Sequence, residues 1–107
     1  MKVEEIRNIM EQVIENEFLS VMDYEEYKFS CTDKEQIELS KESRKLYDSL
    51  SKNMNESEEK KLDDYQEAVW DECVGLFRFY FKEGVKAGAT KLNFIKQIDG
   101  VRIDSVL

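Results

Sequence analysis

Val3, Ile6, Met10, Val13, Ile14 and Phe18 recur at steps of three and four residues. That spacing lines one side of an α-helix and predicts a first helix over 2–19. The following stretch, Ser20 to Cys31, carries Tyr24, Tyr27 and Phe29 without a clean period and reads as a connection whose aromatics fold back on the core. Thr32-Asp33-Lys34-Glu35 fits a capping box, in which the threonine oxygen accepts from an early helix amide and the glutamate reaches back to the cap amide. A second helix is therefore expected over 33–53. Its apolar residues are Ile37, Leu39, Leu46, Tyr47, Leu50 and Met54, and Leu39, Ser43, Leu46, Leu50 and Met54 fall on one seam. Asn55-Glu56-Ser57-Glu58 repeats the capping logic after a turn of a few residues. A link this short makes consecutive helices antiparallel neighbours, so the second and third helices are expected to form a hairpin.

The third helix is expected over 56–89, with Gly88 and Lys91 as stop signals. At 100° per residue, Leu62, Tyr65, Val69, Cys73, Leu76, Tyr80, Gly84 and Ala87 make one stripe, read as facing the core. Beside it Trp70, Val74, Phe77, Phe81, Val85 and Gly88 make a second, so the segment from Val74 to Val85 is apolar over about half its circumference. A single hairpin partner is too narrow to cover that face. Either the first helix and the tail pack on the second stripe, or part of it is a seam for a second copy or another protein. Phe79 points away from both stripes. Gly84 and Gly88, one turn apart, fit close approach by a neighbouring helix, with fraying near the helix end as the alternative.

Past Thr90 the pattern changes to Phe94, Ile95 and Ile98, then Asp99-Gly100, then Val101, Ile103, Val106 and Leu107. Asp-Gly between apolar, β-branched runs signals a two-residue hairpin, and a short helix ending at Gly100 competes with it. The fold class expected is all-α: a three-helix bundle whose long third helix (56–89) is the spine, with a short C-terminal hairpin or helical tail over 91–107 docked on it. The 107 residues suit a single domain, and the chain has no proline and only four glycines to interrupt helices.

Composition narrows the chemistry. With no histidine, imidazole catalysis and His-containing metal sites are excluded. Cys31 and Cys73 are too few for a disulfide framework and read as reduced thiols, Cys73 as a small core residue. No apolar run approaches the ~20 residues of a membrane span, and Met1-Lys2-Val3-Glu4-Glu5 lacks the order of a signal peptide, so the cytoplasm is the expected address. The net charge is −8, split unevenly. Residues 1–72 hold 21 acids and 10 bases (−11), and residues 73–107 hold 3 acids and 6 bases (+3). An acidic surface repels nucleic-acid phosphates, so direct nucleic-acid binding is not expected. The reverse idea is an inhibitor that imitates nucleic acid and presents Glu56, Glu59, Asp63, Asp64, Glu67 and Asp71 to a basic groove. Arg78, Lys82 and Lys86 form a row at four-residue spacing that complements the helix dipole, or alternatively makes a phosphate-binding stripe.

Glu35-x-x-Glu38 and Glu56-x-x-Glu59 are the best metal candidates, since carboxylates three apart share a helix face and oxygen ligands suit Mg²⁺. Each resembles half of the paired acidic motif of the all-α nucleoside triphosphate pyrophosphatases. The other half, Glu-x-x-Asp, is absent from this chain, and both pairs fall in first turns where capping explains them. No metal or cofactor is expected, and a Mg²⁺-dependent nucleotide hydrolase centred on Glu35, Glu38, Glu56 and Glu59 is the remaining alternative. Leu46 and Tyr47, the acidic helix and Phe81-Lys82-Glu83-Gly84-Val85-Lys86-Ala87-Gly88-Ala89 resemble small helical proteins of unknown function from low-GC Gram-positive bacteria and their phages. These share an aromatic followed by Gly-x-x-x-Gly-Ala late in the last helix; the resemblance covers residues 44–90 and implies no activity. The expected function is a non-enzymatic interaction module that self-associates through Trp70, Val74, Phe77, Phe81 and Val85, with Gly84 and Gly88 at the same face.

Overall fold

Asn55 Oδ1 accepts from the Glu58 amide at 2.9 Å while the Glu58 carboxylate accepts from the Asn55 amide at 3.4 Å, and behind this capping box runs a helix of 36 residues. At 1.5 Å per residue it measures about 54 Å and sets the long dimension of a molecule 61 × 35 × 20 Å across. The structure, a computed structural model, describes residues 2–102 and 105. Its elements are α1 (Val3–Ser20), a π-helical stretch (Val21–Glu25), α2 (Glu26–Thr32), α3 (Lys34–Ser51), α4 (Glu56–Lys91) and a 3-10 turn (Asn93–Gln97). The described residues contain no strand, and no helix among them is long and apolar enough to cross a membrane.

The segment read as a connection is helical. Ser20, Val21, Glu25 and Glu26 all keep right-handed helical backbone, so α1, the π stretch and α2 make one rod over 3–32. A π turn carries an extra residue and shifts the phase of every side chain beyond it. The aromatics of 20–31 therefore show no 3.6-residue period although they are helical. They do not fold back on a core: Tyr24, Tyr27 and Phe29 are exposed. The rod ends one residue later than the threonine cap implies. Thr32 is still helical and its hydroxyl donates to the Lys28 carbonyl at 2.7 Å. Asp33 is the first extended residue, and its carboxylate accepts from the Gln36 amide at 2.9 Å.

The hairpin of α3 and α4 is joined at its base without being closed along its length. Tyr47 Oη donates to Asp63 at 2.6 Å. Above that bond α3 turns Ser40, Ser43, Arg44 and Tyr47 toward Gln66 of α4, and its seam residues Leu39, Leu46 and Leu50 stay exposed. Geometry explains the poor cover. An 18-residue helix is about 27 Å long, so α3 runs beside the acidic half of α4 and ends before most of Val74 to Val85.

The rod 3–32 and the tail reach that segment instead. Phe18, the one buried residue among those described, at 2% exposure, meets Phe81 with ring centroids 5.6 Å apart. Leu92, Ile95 and Val101 line a hollow with Val85 and Gly88. The tail forms a 3-10 turn and no hairpin among the described residues. Val101 N–H donates to Ile98 O at 3.4 Å across Asp99-Gly100, and of these two only Gly100 has positive φ, at 76°. A type I′ hairpin turn needs positive φ at both central residues, whereas positive φ at the second alone gives a type II turn. Ile103, Val106 and Leu107, which belong to the expected hairpin, lie outside the described residues.

The result is an extended molecule. Its radius of gyration is 19.8 Å, against about 13 Å for a compact domain of this length. Its accessible surface is 9669 Å², against about 6,200 Å² for a folded monomer of 12.7 kDa.

Candidate interaction surface

Helix α4 carries its apolar residues in two stripes because both recur at three- and four-residue steps along one unbroken helix. The rest of the chain meets it on one side. Asp63 takes the Tyr47 hydroxyl, Arg78 and Lys82 face Glu15 of α1, Phe81 faces Phe18, and Val85 faces the tail. At 100° per residue these five positions share a sector about 100° wide. It overlaps the second stripe at Val74, Phe81 and Val85. The hollows in which Gln66 faces α3, Trp70 faces Met22 and Tyr27, and Phe77 and Tyr80 face Phe18 and Met22 widen the covered arc toward the first stripe.

Within it the cover is partial. Trp70 and Phe77 stand edge to face at 6.1 Å and keep 49% and 41% exposure. Val74 and Phe81 are half-buried, and Val85 sits at the margin of the tail hollow with 37% exposed. Met22, Tyr27 and Ser30 of the rod make a shallow depression beside Trp70. Apart from the adjoining backbone of α4, no atom of the chain comes within 4 Å of where a Cβ would stand at Gly84 or Gly88, so the close approach expected there is not made within one chain.

The first stripe, expected to face the core, is the open one. Tyr65 and Tyr80 are 66% and 67% exposed, and Leu76 is exposed with them. Leu62 and Cys73 are half-buried, and Val69 is less exposed than Tyr65, Leu76 and Tyr80. Most of this stripe lies away from α1, α3 and the tail, but Tyr80 also borders the hollow lined by Phe18, Val21, Met22 and Glu26. Phe79 is exposed and stands edge to face with Tyr80 at 5.4 Å.

The cation row works between helices. Arg78 Nε donates to both oxygens of Glu15 at 3.0 and 3.2 Å, its guanidinium lies 5.0 Å from the Phe18 ring centroid, and Lys82 Nζ is 3.9 Å from Glu15. Lys86 pairs with Glu83 one turn back. Glu15 and Phe18 were missing from the sequence-based site. The available signal was an acid three residues before Phe18 on the first helix, able to meet the row of Arg78 and Lys82.

The acidic residues spread along the other half of α4. Asp64 pairs with Lys60 at 3.0 Å and Asp63 is held by Tyr47, while Glu56, Glu59, Glu67 and Asp71 have no cation partner among the described residues. The Asp63 bond, with help from Asp63, Glu59 and Asp48 charge, pushes the Tyr47 phenol above its ordinary value. The candidate metal pairs are not brought together. Glu35 and Glu38 begin α3 while Glu56 and Glu59 begin α4, so the length of α3, about 27 Å, separates them. No group of three or more acids or cysteines among the described residues is placed to hold a metal ion. Cys31 is exposed and Cys73 half-buried, both as free thiols.

No protein-family model matches this chain, and neither does any curated protein or solved structure.

Proposed function

We propose that this protein is a non-enzymatic interaction module that associates with itself through the apolar circumference of α4. Trp70, Val74, Phe77, Phe81 and Val85, with Gly84 and Gly88, form the face that a second copy completes. One observation carries the reading: the lone chain exposes about 3,400 Å² more than a compact monomer of its mass. Obligate interfaces bury about 2,000–5,000 Å² or more over both partners, which two such chains can supply, and the exposed surface of α4 includes Trp70, Leu76, Phe77 and Tyr80. Sedimentation equilibrium of the wild type and of a Trp70→Glu, Phe77→Glu pair tests it. The wild type is expected to associate and the pair to dissociate while retaining helix. A folded monomer in both cases at high concentration contradicts the proposal.

A second reading has its own observation. Residues 56–72 carry eight acids and two lysines along one exposed helical half, which suits an inhibitor that imitates a nucleic-acid backbone and blocks a nucleic-acid enzyme. It requires a partner that salt releases and DNA displaces, since attraction between exposed charges is screened. Capture of salt-resistant partners alone contradicts it.

A further inference from the structure

The open stripe of α4 has a symmetry that a parallel arrangement has no use for. Its exposed large apolar members Tyr65, Val69, Leu76 and Tyr80 are spaced evenly about a point between Glu72 and Cys73, one residue short of the midpoint of the helix Glu56–Lys91. If a second α4 is laid antiparallel on the stripe about that point, Val69 meets Leu76 and Tyr65 meets Tyr80 from either direction. Self-complementary spacing of this kind is what a two-fold interface demands, because each contact occurs twice.

Charge selects the same direction. Residues 56–72 hold eight acids and two lysines, and residues 73–91 hold one acid and four cations. Antiparallel pairing sets the acidic half of one helix beside the basic half of the other, whereas parallel pairing stacks acids on acids and is opposed by their repulsion. Tyr65, Val69, Leu76 and Tyr80 stay exposed along the stripe, although one edge of Tyr80 borders the hollow lined by Phe18, Val21 and Met22. We infer that two copies of this chain pair antiparallel along α4 through Tyr65, Val69, Leu76 and Tyr80, with the two-fold axis beside Cys73. The inference rests on the self-association proposed above but centres it on the first stripe, leaving Trp70 and Phe77 at the edge of the contact rather than within it. One residue opposes it: Glu72 flanks the stripe next to the axis and comes beside its own copy.

Cross-linking tests the geometry and sedimentation tests the association beneath it, so the two fail separately. In a Cys31→Ser background, a short bismaleimide is expected to join Cys73 of one copy to Cys73 of the other in most of the sample. With Cys31→Ser and Cys73→Ser, a Glu58→Cys chain is expected to cross-link to an Ala87→Cys chain when the two are mixed and not to itself. Leu76→Glu is expected to weaken association at least tenfold, and Glu72→Gln to strengthen it. If sedimentation finds dimers but Cys73 does not cross-link, or Glu58→Cys joins to itself, the antiparallel pairing is wrong and self-association stands. If sedimentation finds only monomer, both are wrong.

Discussion

Arg78 shows how a single side chain ties this extended molecule together. Its Nε reaches both Glu15 oxygens and its guanidinium lies over Phe18, yet the two charged side chains are 37% and 34% exposed. Solvent screening holds such a pair to about 1 kcal/mol or less. A double-mutant cycle of Glu15→Gln and Arg78→Gln in urea unfolding is therefore expected to give coupling of that size. Phe18→Ala, which empties the one buried position among those described, is expected to cost about 3 kcal/mol or more. Tyr47 supplies a pH signature. Because the folded state holds the phenol pKa above 10.0, the Tyr47–Asp63 contact contributes below the ordinary tyrosine value and is lost as pH rises through the elevated one. An absorbance titration is expected to show one tyrosine ionising later than the others, and Tyr47→Phe to remove that phase. Some of this detail was legible in sequence. Asn55 and Glu58 cap α4 as their spacing implies, but the cap of α3 fell on Asp33. Thr32 belongs to the helix before it and spends its hydroxyl on Lys28.

At the scale of elements, the three-and-four spacing located α1, α3 and α4 to within about two residues, because amphipathic periodicity and caps act locally. It missed the continuation of α1 through Val21–Glu25, since a π turn hides helix from any test with a fixed period. It misjudged which stripe of α4 the chain covers, since that depends on which face α3 presents and how far it reaches. The tail carried a hairpin signal that Gly100 alone, without positive φ at Asp99, does not fulfil. Gly84 and Gly88 give a prediction at this scale. Apart from the adjoining backbone of α4, a methyl group at either meets nothing within 4 Å, so Gly84→Ala and Gly88→Ala are each expected to stabilise α4 by about 1 kcal/mol. Thermal unfolding checks this in a background made monomeric by Leu76→Glu. A loss of association in the otherwise wild-type chain would instead place a partner helix against those glycines.

For the molecule as a whole, the sequence pattern implied more apolar circumference on the long helix than one neighbour covers, and the extended shape accords with it. The finer expectation of a shared three-helix core does not appear in one chain: 9669 Å² stays accessible and Phe18 alone is buried among the described residues. An α3 that presents serines to an acidic stretch of α4 has no apolar drive to close upon it, and nothing local in the sequence declares that orientation. Multi-angle light scattering of the wild-type protein through a dilution series, read together with helical content, tests the account most directly. The expected result is twice 12.7 kDa at high concentration, falling toward the single-chain mass on dilution while helical content is retained. A fully helical 12.7 kDa monomer at every concentration would contradict it.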